Sequence, residues 1–142
     1  MSRVVVIVGG TSGIGKALVQ RFASLGDHVF PIGKANCDIT DPKQIDRYFK
    51  GFSEVDVLIN NAAINYCKTI ENISLPEWNE VINTNLTSFF YIIKKCVPLM
   101  KVGSKIVNVS SIAGRNRSLV SGVHYTSSKS GLIGLTRQLA VE

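Results

Sequence analysis

Several features common in proteins are scarce in this 142-residue chain. It holds three cysteines, Cys37, Cys67 and Cys96, an odd number with no close pair. That excludes a disulfide framework and the paired spacing of a structural zinc site, so no metal is expected. Twelve glycines and four prolines are too few for collagen-like or low-complexity sequence. The N-terminal apolar run Val4–Val8 is far shorter than the roughly 20 residues of a membrane span and too short for a signal-peptide core. No membrane partner is expected, and the cytoplasm is the expected compartment. Acids are missing altogether between Glu80 and Glu142, where Lys94, Lys95, Lys101, Lys105, Arg115, Arg117, Lys129 and Arg137 lie. This stretch carries more positive charge than the whole chain's net +6 and is read as solvated surface, with no nucleic-acid partner. Hydrophobic residues make up 45% and charged residues 18%, enough apolar area for a folded core rather than a disordered chain. One domain over 1–142 is expected.

Strand and helix patterns alternate from the start. Arg3–Val8 reads as a strand buried on both faces. Ile14, Ala17, Leu18, Phe22 and Leu25 form a helical stripe that Gly26 closes. Val29–Ile32 is a second strand, placed near an edge by Pro31, and Ala35–Ile39 a third. Asp41 and Pro42 start a helix as cap and first residue. Val55–Ile59 is a strand; Ser74 and Glu77 have capping-box spacing for a long helix to about Met100. Lys105–Val109 is another strand. A helix rich in Ser and Gly runs from His124 to the end, predicting a close helix neighbour. This alternation predicts an α/β fold, a doubly wound parallel sheet with helices on both faces.

The segment Gly9-Gly10-Thr11-Ser12-Gly13-Ile14-Gly15 joins the first strand to the first helix. Glycine lets the backbone turn tightly and approach a ligand, and helix N-terminal amides suit a pyrophosphate. In this context the loop predicts a dinucleotide site. Gly10 to Ala17 also comes close to a P-loop, but Ala17 stands where that motif needs a metal-binding hydroxyl. After the second strand comes Lys34, and no acid lies between Val29 and Cys37. A basic residue there accommodates the extra phosphate of NADP, where NAD sites use an acid, so NADP(H) is favoured over NAD(H).

Tyr125 and Lys129 are four residues apart on a predicted helix, one turn or about 5.4 Å along its axis. An ammonium beside a phenol favours the phenolate, which suits acid–base work near neutral pH. Asn85 falls on the apolar stripe of its helix, where a polar group needs a partner. His124 faces another side of its helix and is read as a spectator.

The glycine loop, Asn60-Asn61-Ala62-Ala63 after a strand, Asn85 in a long helix, Ser110-Ser111 after a strand and Tyr125-x-x-x-Lys129 appear in the order found in short-chain dehydrogenases/reductases. The chain resembles that family over essentially its whole length. The resemblance implies a Rossmann-type sheet, a nicotinamide cofactor and hydride transfer between a carbonyl and an alcohol. It implies Tyr125 as general acid, Lys129 as the residue that binds the nicotinamide ribose and tunes the Tyr, and Ser111 as the hydroxyl that orients the substrate oxygen. Asn85 resembles the residue holding a water in a proton relay. Gly9, Thr11, Ser12, Gly13, Ile14 and Gly15 would cradle the cofactor. Asp38 and Ile39 would meet its adenine, and Asn61, Ala62 and Ala63 would lie beside its adenosine half. A small carbonyl or alcohol substrate like that of a 3-oxoacyl-carrier-protein reductase, and a homodimer or homotetramer, follow from the same likeness.

There are departures. Val8 and Ala63 stand where the family commonly has Thr and Gly, and Ser111 to Tyr125 is one residue longer than usual. The segment between the second strand and Asp38 is short, so a helix is missing and the sheet edge differs. The family continues past its catalytic helix into further strands, so a truncated copy lacking the C-terminal strands is expected. A nucleotide-binding module without turnover is the alternative.

Overall fold

The computed structural model describes residues 2–142. Its main elements are β1 (Val4–Val8), α1 (Gly13–Ser24), β2 (His28–Ile32), α2 (Pro42–Phe49), β3 (Val57–Asn60), α3 (Leu75–Ile82), a π-helical turn (Asn83–Thr87), α4 (Ser88–Cys96), β4 (Lys105–Asn108) and α5 (Val123–Leu139). The chain divides into two compact units. One comprises the residues up to Ala62 with Tyr91–Val109; the other comprises Ala63–Phe90 with Ser110–Glu142.

The first unit holds a four-stranded parallel sheet in the order β2-β1-β3-β4. Going from β1 to β2 the chain steps one way, and from β2 to β3 it returns past β1. Right-handed crossovers therefore put α1 and α2 on opposite faces, the double winding expected. The next step continues past β3, which brings the Tyr91–Cys96 part of α4 to the α2 face. There the Tyr91 hydroxyl donates to Asp46 of α2 at 3.0 Å, and the Lys95 ammonium lies 2.7 Å from the same carboxylate.

Val5 to Val8 are fully buried, as a central strand covered on both faces requires. Val5, Ile7, Val57 and Ile59 pack against Leu18, Val19 and Phe22 of α1. Each such side chain contributes roughly 1.5–3 kcal/mol by leaving water. In register, Val8 pairs with Ile32 and Asn60, and Asn60 with Asn108. The C-terminal ends of all four strands thus form one edge. Chain direction reverses between β1 and β3, and in open α/β sheets ligands bind at that place.

Local signals set most helix ends. Gly26, at φ +84, closes α1: its amide donates to Ala23 and that of Asp27 to Phe22, satisfying the last carbonyls. Asp41 caps α2 by accepting from Lys43 N–H, with Pro42 first in the helix. Ser74 and Glu77 form the reciprocal capping box of α3.

Three sequence expectations are corrected. Ala35–Ile39 is not a strand: Asn36 accepts from Gly33 N–H and donates to the Pro31 carbonyl, while the amides of Asn36 and Cys37 both turn back to Gly33 O. Ile14 and Leu25 lie at the two ends of α1, beyond the reach of the sheet, and are exposed rather than packed. The long helix from Ser74 is interrupted at Asn83–Thr87 by the π turn and passes at Val97 into a 3-10 turn. In the second unit α5 packs on α3 and the π turn. Gly131 makes this possible, because a β-carbon there would lie 2.7 Å from Leu86 Cδ2. Among the described residues no helix is long and apolar enough to cross a membrane.

Candidate active site

The first unit carries most of the residues expected to hold a nucleotide. Gly9 has φ +77, and a β-carbon on it would lie 2.7 Å from the Ala62 backbone. At Gly15 a β-carbon would fall inside the carbonyl of Gly9. The Gly9 and Gly10 amides donate to Ile32 O at 2.8 and 3.1 Å, and those of Asn61 and Ala62 to Val8 O at 3.0 Å. Asn61 Nδ2 donates to Gly9 O at 3.3 Å. The loop, the end of β2 and the Asn61-Ala62 turn are therefore one interlocked backbone surface at the strand ends.

This surface fits a dinucleotide. Gly13 has φ +50 and open space where a side chain would stand. Ser12 caps α1 in extended conformation without a side-chain bond, so the first-turn amides receive no side-chain cap. Ile14 is exposed beside them. Thr11 packs against Gly33, where a β-carbon would lie 2.5 Å from its methyl. Lys34 follows, exposed, on the turn made by Asn36. The Asp38 carboxylate accepts from the Thr40 amide and hydroxyl at 2.9 and 2.7 Å. Those two bonds, the amide's first, hold it below its ordinary range; burial opposes them and nearby Lys34 assists. Ile39 is half-buried beside it.

The second unit carries Ala63 and the four residues expected to be catalytic, Asn85, Ser111, Tyr125 and Lys129. Tyr125 and Lys129 lie on α5, with the ammonium 5.8 Å from the phenol ring centroid. Lys129 is buried, and loss of hydration lowers it from 10.5 to about 8. It therefore stays cationic at neutral pH while being close to releasing its proton. Ser111 caps the 3-10 turn Ile112–Gly114, its oxygen accepting from Ala113 N–H at 3.1 Å. That bond uses a lone pair, so the hydroxyl proton remains able to donate. The segment bearing Ser111 is fastened to α5. Ser110 donates to Lys129 O at 2.9 Å, Ser130 donates to Gly114 O at 2.9 Å, and a β-carbon on Gly114 would lie 2.8 Å from the Lys129 backbone.

Asn85 is fully buried in the π turn. Its oxygen accepts from Ile64 N–H at 2.9 Å, and its amide donates to Ile64 O at 2.8 Å and Ser128 Oγ at 3.2 Å. Ser128 in turn donates to Tyr125 O at 2.7 Å. Asn85 thus clamps the strand-end segment to the Tyr125 helix. Ser128, not among the residues expected from sequence, is the link. His124, read as a spectator, is fully buried and accepts the amide proton of Tyr125 through Nδ1 at 2.8 Å.

Comparison with known proteins identifies the family. The profile of the short chain dehydrogenase family matches residues 32–142. A putative ketoacyl reductase of the granaticin polyketide synthase from Streptomyces violaceoruber is 32% identical, over 98% of this chain and 61% of its own length. A 3beta-hydroxysteroid dehydrogenase from Mediterraneibacter gnavus is 32% identical, over 99% of this chain and 60% of its own. Ligand-free aldohexose dehydrogenase from Thermoplasma acidophilum superposes with a TM-score of 0.88 at 33% identity, over 99% of this chain and 61% of that one. The chain belongs to the short-chain dehydrogenase/reductase family of nicotinamide-dependent oxidoreductases. It spans about three-fifths of the length of these relatives.

Proposed function

We propose that the protein catalyses reversible hydride transfer between NADP(H) and a small carbonyl or alcohol, with Tyr125 as general acid and base. The observation that carries this reading is the buried Lys129 ammonium, 5.8 Å from the Tyr125 ring and lowered to about 8. A cation is costly to bury, and this one stands beside a phenol able to exchange a proton. In reduction, Tyr125 donates its hydroxyl proton to the substrate oxygen as charge grows there, and the Lys129 cation favours the phenolate left behind. Ser111 orients and polarises the same oxygen through its free hydroxyl proton. Asn85 keeps the Tyr125 helix in place through Ser128. The bound nicotinamide supplies or accepts the hydride; the glycine loop and the uncapped α1 amides would hold its pyrophosphate, with Asp38, Ile39, Asn61, Ala62 and Ala63 lining the adenosine.

The exposed Lys34, with no acid between Val29 and Cys37, supports NADP(H) as the preferred form. The named relatives act on a ketoacyl group, a steroid hydroxyl and a sugar, which supports a secondary alcohol or its ketone as the reacting group. A 3-oxoacyl thioester is the substrate we favour, since Arg115 and Arg117 follow Ser111 and suit an anionic carrier. The test is oxidation of NADPH and NADH, followed at 340 nm, with an acetoacetyl thioester. Faster turnover with NADPH, its inversion by Lys34→Glu and its loss in Tyr125→Phe are expected. Tighter binding of NADH overturns the cofactor reading, and full turnover by Tyr125→Phe overturns the mechanism.

A further inference from the structure

We propose that His124 is a positioning residue for Tyr125: its neutral imidazole replaces the missing helix cap and fixes the backbone from which the phenol projects. The proposal rests on the reading of Tyr125 as general acid.

The N-cap of α5 is Gly122, which has no side chain to offer the first-turn amides. A larger residue cannot stand there. A β-carbon on Gly122 would collide with the His124 ring and lie 2.6 Å from Tyr66 O. The cap position is thus kept bare by the imidazole, and the imidazole does the capping instead. His124 Nδ1 accepts the Tyr125 amide proton at 2.8 Å. The carbonyl of the same residue accepts from Ser128, which is held by Asn85. Tyr125 is therefore fastened at both ends of its backbone, by His124 at the amide and by Ser128 at the carbonyl.

The bond dictates the ring's chemical state. Nδ1 can accept only through its lone pair, so the ring is neutral and carries its proton on Nε2. Nε2 is buried and makes no hydrogen bond among the described residues. A second proton would put an N–H against the Tyr125 N–H and break the cap. The Tyr66 ring lies 6.0 Å from the imidazole between centroids, and its hydroxyl donates to Glu80 of α3.

The experiment combines nitrogen NMR of the imidazole, amide hydrogen exchange at Tyr125 and steady-state kinetics on the full protein. The parent ring should be the Nε2–H tautomer. In His124→Ala the Tyr125 amide should exchange about tenfold faster and kcat fall about tenfold, with KM little changed. His124→Asn places a carbonyl oxygen at the same distance from the backbone as Nδ1. It should restore both values. An Nδ1–H tautomer, unchanged amide exchange in His124→Ala, or a His124→Asn variant that restores neither exchange nor kcat would each overturn the proposal. If His124→Ala does not fold, the tautomer and the Tyr125 amide exchange and kcat of His124→Asn decide alone. Tyr125→Phe run in parallel separates the two readings: continued turnover there removes the general-acid assignment but leaves the tautomer and exchange results standing.

Discussion

Replacing Lys129 by Met should make the protein more stable and inactive. Burial moves the ammonium from 10.5 to about 8, and burial is the cause. At 1.36 kcal/mol for each tenfold loss of proton affinity, keeping the charge inside the folded protein costs about 3 kcal/mol at pH 7. Met has a similar unbranched length and no charge to desolvate, so most of that cost should disappear. The pH dependence gives the sharper check. Below about pH 8 both folded and unfolded chains hold the proton, and the full cost is present. From there to 10.5 the unfolded chain still holds a proton that the folded chain has released, so parental stability rises with pH; above 10.5 the cost is gone. The Met variant should not share this rise. Urea unfolding at pH 7 and pH 9, followed by fluorescence, measures it. The single tryptophan, Trp78, lies in the same unit as Lys129 and reports on that unit. A variant no more stable than the parent at pH 7, or a gain that does not shrink at pH 9, would refute the reasoning.

Two further outcomes are expected. Gly15→Ala drives a methyl into the Gly9 carbonyl and should weaken NADPH binding at least about tenfold, by calorimetry, because the loop cannot keep its backbone path. Asn85→Leu leaves the Ile64 amide and carbonyl without their side-chain partner and should cost about 2–4 kcal/mol in urea unfolding; a neutral result would mean that those groups find another partner.

The sequence could be read best where one local cause decides the outcome. Asp41-Pro42 and Ser74/Glu77 cap their helices as their side-chain chemistry demands. The Val4–Val8 run becomes the buried centre of a parallel sheet, and Tyr125 and Lys129 meet because a helix turn brings them together. It was read less well where a tertiary contact decides. Ala35–Ile39 has strand-like residues, but the Asn36 side chain bonds forwards and backwards and closes a turn. Ile14 continues the stripe of Leu18 and Phe22, yet it lies past the strand ends where nothing covers it. His124 was set aside because its direction differs from that of Tyr125. A side chain facing elsewhere can still reach its neighbour's amide, and the bare Gly122 ahead of it was the available clue.

The π turn at Asn83–Thr87 changes the phase of the helix that contains it. Val81 and Phe89 are both fully buried although eight residues apart. On a continuous α-helix they would point about 80° apart; one residue absorbed by the wider turn brings them to within about 20°. The extra residue acts as a spacer between two helices that each keep their own alignment. A chain shortened by one residue here could wind straight through and still fold, with Asn85 swung away from Ile64. Such a shortening would cost the protein its clamp while sparing its core.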